Sequence, residues 1–349
     1  MAHGLEANPA ADLRKAGNPE KGNEVPACPI ALPELACAMR ATLLALALML
    51  PSPASAAGRT EVNAMAWPAL SPDGAMLVFE WLDDIWLASS AGGEAIRITT
   101  DPARDSYPKF TPDGNRVVFS SERSGSLQIH SVKIDGSDSR QHSANTGGNM
   151  LNDISPDGSF ALTRGERESS GYKPSRLLKL DLRRDAREIM LFDATAHSAS
   201  VSPDGSRYLF CRGGEQPFRY GYHGSRASQI HLYDESDESF RTLVAGAWEA
   251  RSPLWRADGM GFFYLSNESG TFNIRSHNLA NGSDRQITFF DADSVVNPAL
   301  SSDGKTMVFR AGRSVYRIAP DSWKSLEEIH LYTIEKIPTR FIRKEKVTG

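Results

Sequence analysis

The sequence predicts an all-β fold of six repeated units, each of four short strands, and three observations carry that prediction. The first is a recurring tetrapeptide. Ser71-Pro72-Asp73-Gly74 returns as Thr111-Pro112-Asp113-Gly114, Ser155-Pro156-Asp157-Gly158 and Ser202-Pro203-Asp204-Gly205, and then in two worn copies, Arg256-Ala257-Asp258-Gly259 and Ser301-Ser302-Asp303-Gly304. The second is its spacing: the six aspartates stand 40, 44, 47, 54 and 45 residues apart. The third is phase. Leu70, Phe110, Ile154, Val201, Trp255 and Leu300 each stand three positions before the Asp. Phe79, Phe119, Phe210, Tyr264 and Phe309 stand six positions after it, with Thr163 as the exception. A strand-rich repeat of roughly 40–50 residues points to a six-bladed β-propeller, four antiparallel strands to a blade, here preceded by a signal peptide.

The tetrapeptide has a mechanical reason to recur. Proline pre-sets φ at the second position of a tight turn, Asp accepts hydrogen bonds from nearby amides, and Gly takes a positive φ at the fourth. Each copy therefore joins two short strands. The repeat also carries Pro five positions before the Asp in four copies, at Pro68, Pro108, Pro253 and Pro298.

In chain order, unit one is predicted to hold strands at 66–70, 76–81, 85–88 and 95–99, and unit two at 107–111, 116–121, 127–133 and near 139–142. Unit three runs through 150–154, 160–164, 176–180 and 187–191; unit four through 197–201, 207–211, 229–233 and 240–244. Unit five takes 252–255, 261–266, 272–277 and 285–288, and unit six 296–300, 306–310, 315–318 and 328–332. One helical turn is expected within 321–329. The runs are often continuously apolar, as expected where both faces of a sheet are buried. Each quartet is complete in linear order, so unit six should close by packing on unit one without a shared blade.

The flanks read differently. Residues 41–50 form an apolar run of ten, too short to span a bilayer. Arg40 precedes the run and Ala54-Ser55-Ala56 follows it, the arrangement of a secretory signal peptide. The expected domains are 1–38 as a non-native or disordered extension before a start at Met39, 39–56 as signal peptide, 59–335 as propeller, and 336–349 as a basic tail or truncated linker. Cleavage removes Cys28 and Cys37 and leaves Cys211 alone, which excludes a disulfide framework. The expected location is periplasmic or secreted, with no stable membrane span after cleavage.

The 349 residues are 23% charged and 40% hydrophobic with a net charge of −4, an ordinary globular composition without a nucleic-acid footprint. Gly-x-Ser-x-Gly and His-x-x-x-His are both absent, so neither a nucleophile elbow nor that metal pair is on offer. His197 sits among Ser198, Ser200 and Ser202, but neighbours on one strand face two ways and no carboxylate orients them. The Asp-Gly turns (Asp73-Gly74, Asp113-Gly114, Asp157-Gly158, Asp204-Gly205, Asp258-Gly259 and Asp303-Gly304) lack the dense carboxylate loop of a calcium site and are assigned a structural role. No catalytic residue, metal or cofactor is therefore expected.

A binding surface remains. By repeat phase, Trp67, Tyr107, Leu151, His197, Arg251, Ser252 and Asn297 lead the inner strands and should gather at one channel mouth. Two insertions, 165–175 and 212–228, both fall between the second and third strands of a unit and so should emerge on one face. The second supplies Tyr220, Tyr222 and Arg226, residue types favoured at interfaces. The partner expected is a protein or peptide.

The repeat Ser-Pro-Asp-Gly-x4-Phe, followed by an aromatic strand and a closing Leu/Ile-Thr, resembles the propeller repeat shared by TolB and tricorn-type proteins. Residues 97–125, RITTDPARDSYPKFTPDGNRVVFSSERSG, are similar to the second blade of tricorn-like peptidases. Residues 253–290, PLWRADGMGFFYLSNESGTFNIRSHNLANGSDRQITFF, resemble the fifth, and the loop 220–228 fits the insertion of the fourth. The resemblance covers about residues 62–320. In full-length relatives it implies a second propeller, a PDZ-like module and a serine-peptidase domain, for which this chain has no room. It thus implies a non-catalytic module that docks or gates peptides. Two alternatives stand beside it: a truncated N-terminal part of a tricorn-like serine peptidase, and a TolB-like envelope scaffold.

Overall fold

The structure is a computed structural model that describes residues 58–167, 175–183, 187–214, 221–320 and 325–337. The expected signal peptide, the residues before it and nearly all of the basic tail lie outside the described residues. Among those described there is no helix. Six four-stranded antiparallel sheets follow one another along the chain, each built from strands in chain order, with Gly93–Glu94 alone interrupting the first. Their first, inner strands are Ala66–Leu70, Asp105–Phe110, Met150–Ile154, His197–Val201, Ala250–Trp255 and Val295–Leu300.

The sheets stack through alternation. In the strand Met76–Trp81, Leu77 and Phe79 point into a cluster shared with the sixth sheet through Val308 and Val315. Val78, between them, joins a cluster shared with Phe110, Val117 and Phe119 of the second sheet. Successive side chains of a strand face opposite ways, so a sheet packed on both faces needs an apolar run without gaps. Further clusters join sheets two and three, three and four, four and five, and five and six. The sixth sheet thus packs on the first, and the arrangement is a β-propeller. Phe79, Phe119, Phe210 and Phe309 are each at most 1% exposed, and burying one such side chain is worth about 1.5–3 kcal/mol.

The recurring turns form a second ring. Their glycines all take positive φ, from 65° at Gly259 to 78° at Gly205. A Cβ added to Gly114 would lie 3.6 Å from Pro72, one on Gly158 3.4 Å from Pro112, and one on Gly205 3.8 Å from Pro156, so each turn leans on the one before. The last meets the first: Asp303 N donates to Pro72 O at 3.2 Å, and a Cβ on Gly74 would stand 2.7 Å from Thr306 Oγ1.

Three local expectations change. The predicted strand 95–99 is paired only over Ile96–Arg97, while Gly93–Glu94 turns to another partner. The predicted final strand 328–332 is two strands, Glu327–Ile329 in the sixth sheet and Leu331–Thr333 outside it. The helical turn expected within 321–329 is not formed by 325–329, where Glu327–Ile329 pairs with Val315–Arg317; residues 321–324 lie outside the described set.

Leu331–Thr333 belongs to a small three-stranded sheet that the repeat pattern did not announce. It pairs antiparallel with Thr60–Glu61 and parallel with Gly93–Glu94. Arg59 lies over the Tyr332 ring at 4.3 Å, and Arg97 N donates to Glu335 at 2.9 Å. Leu331 is 4% exposed, within the core cluster between sheets one and six. None of the six four-stranded sheets takes strands from both ends of the described chain; the ends are joined instead in this small sheet outside the six.

A candidate binding cavity where the inner strands begin

Every inner strand carries one extra residue against its neighbour near its start. The register shifts fall between Ala66 and Ala69, Ser106 and Lys109, Leu151 and Asp153, His197 and Ser200, Arg251 and Leu254, and Val296 and Ala299. Such a bulge bends the strand and re-aims a side chain. In five strands a non-glycine residue there holds a left-handed backbone: Trp67 (φ 48°), Tyr107 (55°), Ser198 (47°), Ser252 (51°) and Asn297 (51°). Each such residue costs about 1–3 kcal/mol unless its surroundings hold it. Pro68, Pro108, Pro253 and Pro298 follow four of them, at a place where an unpaired residue needs no ladder donor.

The bulged residues converge on one cavity of about 130 Å³. Trp67, Tyr107, Leu151, Ser198, Ser252 and Asn297 line it, one from each inner strand. The Trp67 and Tyr107 rings lie 4.4 Å apart, tilted by 36°. Lys109 and Arg164 also line the cavity, as does Ser200. Burial pushes the Tyr107 phenol above its usual range, against the pull of the Arg164 and Arg104 charges. Asn152, itself part of the lining, and Asp153 cross to the next inner strand, accepting from Ala199 N at 3.2 Å and Val201 N at 3.0 Å.

His197 and Arg251 stand outside this cavity. The bulge puts Ser198 and Ser252 at the converging position, one residue later. His197 Nε2 instead lies 2.7 Å from Gly213 O. Arg251 donates to Glu249 Oε2 at 3.0 Å and lies over the Phe272 ring at 4.9 Å. Both therefore sit against the described ends of the 212–228 insertion, at Gly213 and Gly214, where buried Glu249 also accepts from Ser228 N at 3.1 Å. In that insertion Arg226 is exposed and its carbonyl accepts from Gly214 N at 2.9 Å. Tyr222 is half-buried; its carbonyl accepts from Asn267 at 3.2 Å and its hydroxyl from Arg226 N at 3.3 Å. Tyr220 and most of 165–175 lie outside the described residues. Repeat phase missed Lys109, Arg164 and Ser200, which it had no reason to single out. Ser198 was available to it, six positions before Asp204.

The turn aspartates are spent on their own turns. Asp73 Oδ1 accepts from the Ser71 hydroxyl at 2.6 Å and from Ala75 N at 3.1 Å. Asp157 accepts from the Ser159 hydroxyl and amide at 2.7 and 3.0 Å, and these bonds hold its carboxyl down at about 2. Cys211 is fully buried, which pushes its thiol up to about 12 and makes it a core residue. Among the described residues no group of three or more His, Cys, Asp or Glu is placed to hold a metal ion.

The family model described as the Tricorn protease N-terminal beta propeller domain matches residues 63–324. The chain is similar to "Tricorn protease homolog 1" of Streptomyces coelicolor, at 26% identity over 253 residues. That match takes in 71% of this chain and 23% of the relative, so the chain spans about a quarter of that curated protein. Among solved structures it resembles the tricorn protease, with a TM-score of 0.62 and 19% identity over 80% of this chain and 27% of the other. It also resembles TolB from Acinetobacter baumannii, with a TM-score of 0.54 and 17% identity over 79% of this chain and 66% of the other. At these identities the two structures speak for the fold.

Proposed function

The chain belongs to the tricorn protease N-terminal β-propeller family, and from that premise we propose that it is a six-bladed, non-catalytic module that binds protein or peptide segments in the cell envelope. The observation that carries this reading is the cavity where six bulged inner strands converge. Backbone strain repeated around one cavity is the mark of a site held ready for a ligand. Aromatic faces, prolines, hydroxyls and two cations suit a peptide. The Ser198 hydroxyl in the lining lies 3.3 Å from His197 Nδ1, while the other ring nitrogen of that histidine is held against the Gly213 carbonyl, so the pair is read as part of the wall. The six-blade count is supported by the ring of turns and by the packing of the sixth sheet on the first. The envelope location rests on the apolar run 41–50 and its flanks. Tyr222 and Arg226 of the 212–228 insertion, with Tyr220 beside them, are proposed as a second contact region.

The experiment is a pull-down from envelope extract with the purified chain, beside a peptidase assay on unstructured casein. The reading expects a specific protein partner and no cleavage. Cleavage that survives repurification would put an active site in the propeller and end it. Substituting Tyr220, Tyr222 and Arg226 together by Ala is expected to weaken capture several-fold with an unchanged melting temperature; unchanged capture leaves that loop as packing only.

A second reading is favoured by one observation: the matched relative is about four times longer than the match. On that reading the chain is the N-terminal part of a tricorn-like serine peptidase, and the propeller serves chemistry carried elsewhere. A third, a TolB-like envelope scaffold, is supported by the resemblance to the TolB structure. The DNA just downstream of the stop codon separates them. PDZ-like and peptidase modules encoded there favour the second reading, and an unrelated gene favours a stand-alone scaffold.

A further inference from the structure

The cavity carries charge of one sign. Lys109 and Arg164 line it and no carboxylate does, although the chain as a whole has a net charge of −4. Arg164 stands opposite Met150 in the third sheet and its Nε donates to the Met150 sulfur at 3.1 Å. Lys109 Nζ makes a long ion pair with Asp153 Oδ1 at 3.9 Å, a carboxylate that stands next to the lining rather than in it.

A second observation is independent of charge. Ser200 is only 6% exposed and lines the same cavity, and its hydroxyl oxygen is buried without a hydrogen-bond partner among the described residues. Leaving a buried hydroxyl unpaired costs about 1–3 kcal/mol, and native folds seldom tolerate it without a reason. A hydroxyl can donate to an incoming oxygen, as can the guanidinium and the ammonium. Three donors and no carboxylate select a group that only accepts, and charge-assisted bonds to a carboxylate are the strong ones.

Size and walls narrow the ligand. A cavity of about 130 Å³ at the centre of six strands admits side chains of an extended segment rather than a folded element. Trp67, 37% exposed, and the Tyr107 ring against it offer an apolar wall for whatever stands beside an entering side chain.

We propose that the cavity receives a single acidic side chain, Asp or Glu, from a bound partner segment. Arg164, Lys109 and the Ser200 hydroxyl take its carboxylate, and the neighbouring residue of the segment packs on Trp67 and Tyr107. This rests on the binding-module reading and narrows it from peptide segments in general to acidic ones.

The test uses the purified, immobilised chain and two randomised hexapeptide pools, identical except that the third residue is fixed as Glu in one and Gln in the other. Both pools are acetylated and amidated, so the side chain alone differs. The Glu pool should be retained about tenfold more than the Gln pool at low salt, the difference shrinking as salt rises towards about 1 M. The double variant Arg164→Gln with Lys109→Gln should abolish the preference, and Arg164→Lys should keep part of it. Ser200→Ala should leave the melting temperature of the free chain unchanged or raise it, because it removes an unpaired buried hydroxyl, yet weaken Glu-pool retention about three- to tenfold. Equal retention of the two pools, or retention of neither, overturns the proposal. If the double variant does not fold, the pool comparison on the unaltered chain and the Ser200→Ala measurement still decide. A partner captured from extract with no Glu preference ends this inference alone; no partner and no retained pool end both.

Discussion

The two ends of the six inner strands are built by opposite rules. At the turn end both the residues and the conformation repeat: Ser or Thr, Pro, Asp and Gly in four copies and Asp-Gly in all six, with the carboxylate satisfied inside its own turn and the glycine of copies two to four against the turn before. At the cavity end only the conformation repeats. A bulge recurs in all six strands and a left-handed residue in five, but the residues are Trp67, Tyr107, Leu151, Ser198, Ser252 and Asn297. Repeated identity builds the ring, because each turn must fit a copy of itself. A repeated backbone with free identities builds a surface, where each position can be chosen for something other than its neighbour.

The sharpest way to break this comparison is to exchange backbone tolerance between the ends. Gly74→Ala places a Cβ 2.7 Å from Thr306 Oγ1 at a φ of 72°. It should cost about 2–4 kcal/mol in urea denaturation, from left-handed strain and overpacking together. A cost under about 0.5 kcal/mol would mean that the ring of turns is not close-packed.

Acid sharpens the comparison with a smaller effect. At the turn end, side-chain and backbone hydrogen bonds hold Asp73, Asp113 and Asp157 below the ordinary carboxylate range. A depressed folded-state pKa adds stability that is present above the unfolded value and lost as pH falls through the folded one. At the cavity end, burial raises Glu80, which stands across from Ala66, and Asp105, although Arg104 and Arg123 pull them back. A raised acid contributes most when protonated, so its share is lost as pH rises through its folded value. Stability should therefore climb gently as falling pH protonates the raised acids, and then fall between about 4 and 2 as the depressed ones are protonated. Glu80→Gln should reduce the climb to the share of Asp105, and Asp157→Asn should make the fall shallower, both read from melting temperature against pH. A single monotonic curve, unmoved by either change, would erase the electrostatic difference between the ends.

The smallest expected effect is at Ser252, already left-handed without being glycine. Ser252→Gly should change stability by no more than about 0.5 kcal/mol, because relief of strain offsets the extra chain entropy of glycine. A loss above about 1 kcal/mol would show that the side chain itself holds the bulge.

How much of this could be read from the sequence follows from the same contrast. The turn ring is legible because Pro-Asp-Gly spells out its own geometry, and Leu77, Val78 and Phe79 announce a strand buried on both faces. The cavity is only half legible. Pro68, Pro108, Pro253 and Pro298 mark where the bulge falls, but no residue type encodes a left-handed Trp or Tyr, which is imposed by packing. Counting seven residues back from Asp204 gives His197, and six gives Ser198; the bulge makes that single step decide which side chain meets the cavity. Arg164 reaches the cavity from a second strand, so no count along the first could find it. Strands of two residues, such as Thr60–Glu61, carry too little pattern to be seen at all.

That two-residue pairing sets how the ring would respond to load. Thr60 stands opposite Thr333 and Glu61 opposite Tyr332 in an antiparallel ladder, so the chain on either side leaves from the same end of the pair. Force applied through the two flanks would therefore peel the ladder one rung at a time rather than shear both rungs together. The seam should yield at low force while the six sheets, each paired within itself, are still intact. A pulling experiment would record a small early extension before the main rupture, and the disc would behave as a clasped bracelet whose clasp is its weakest link.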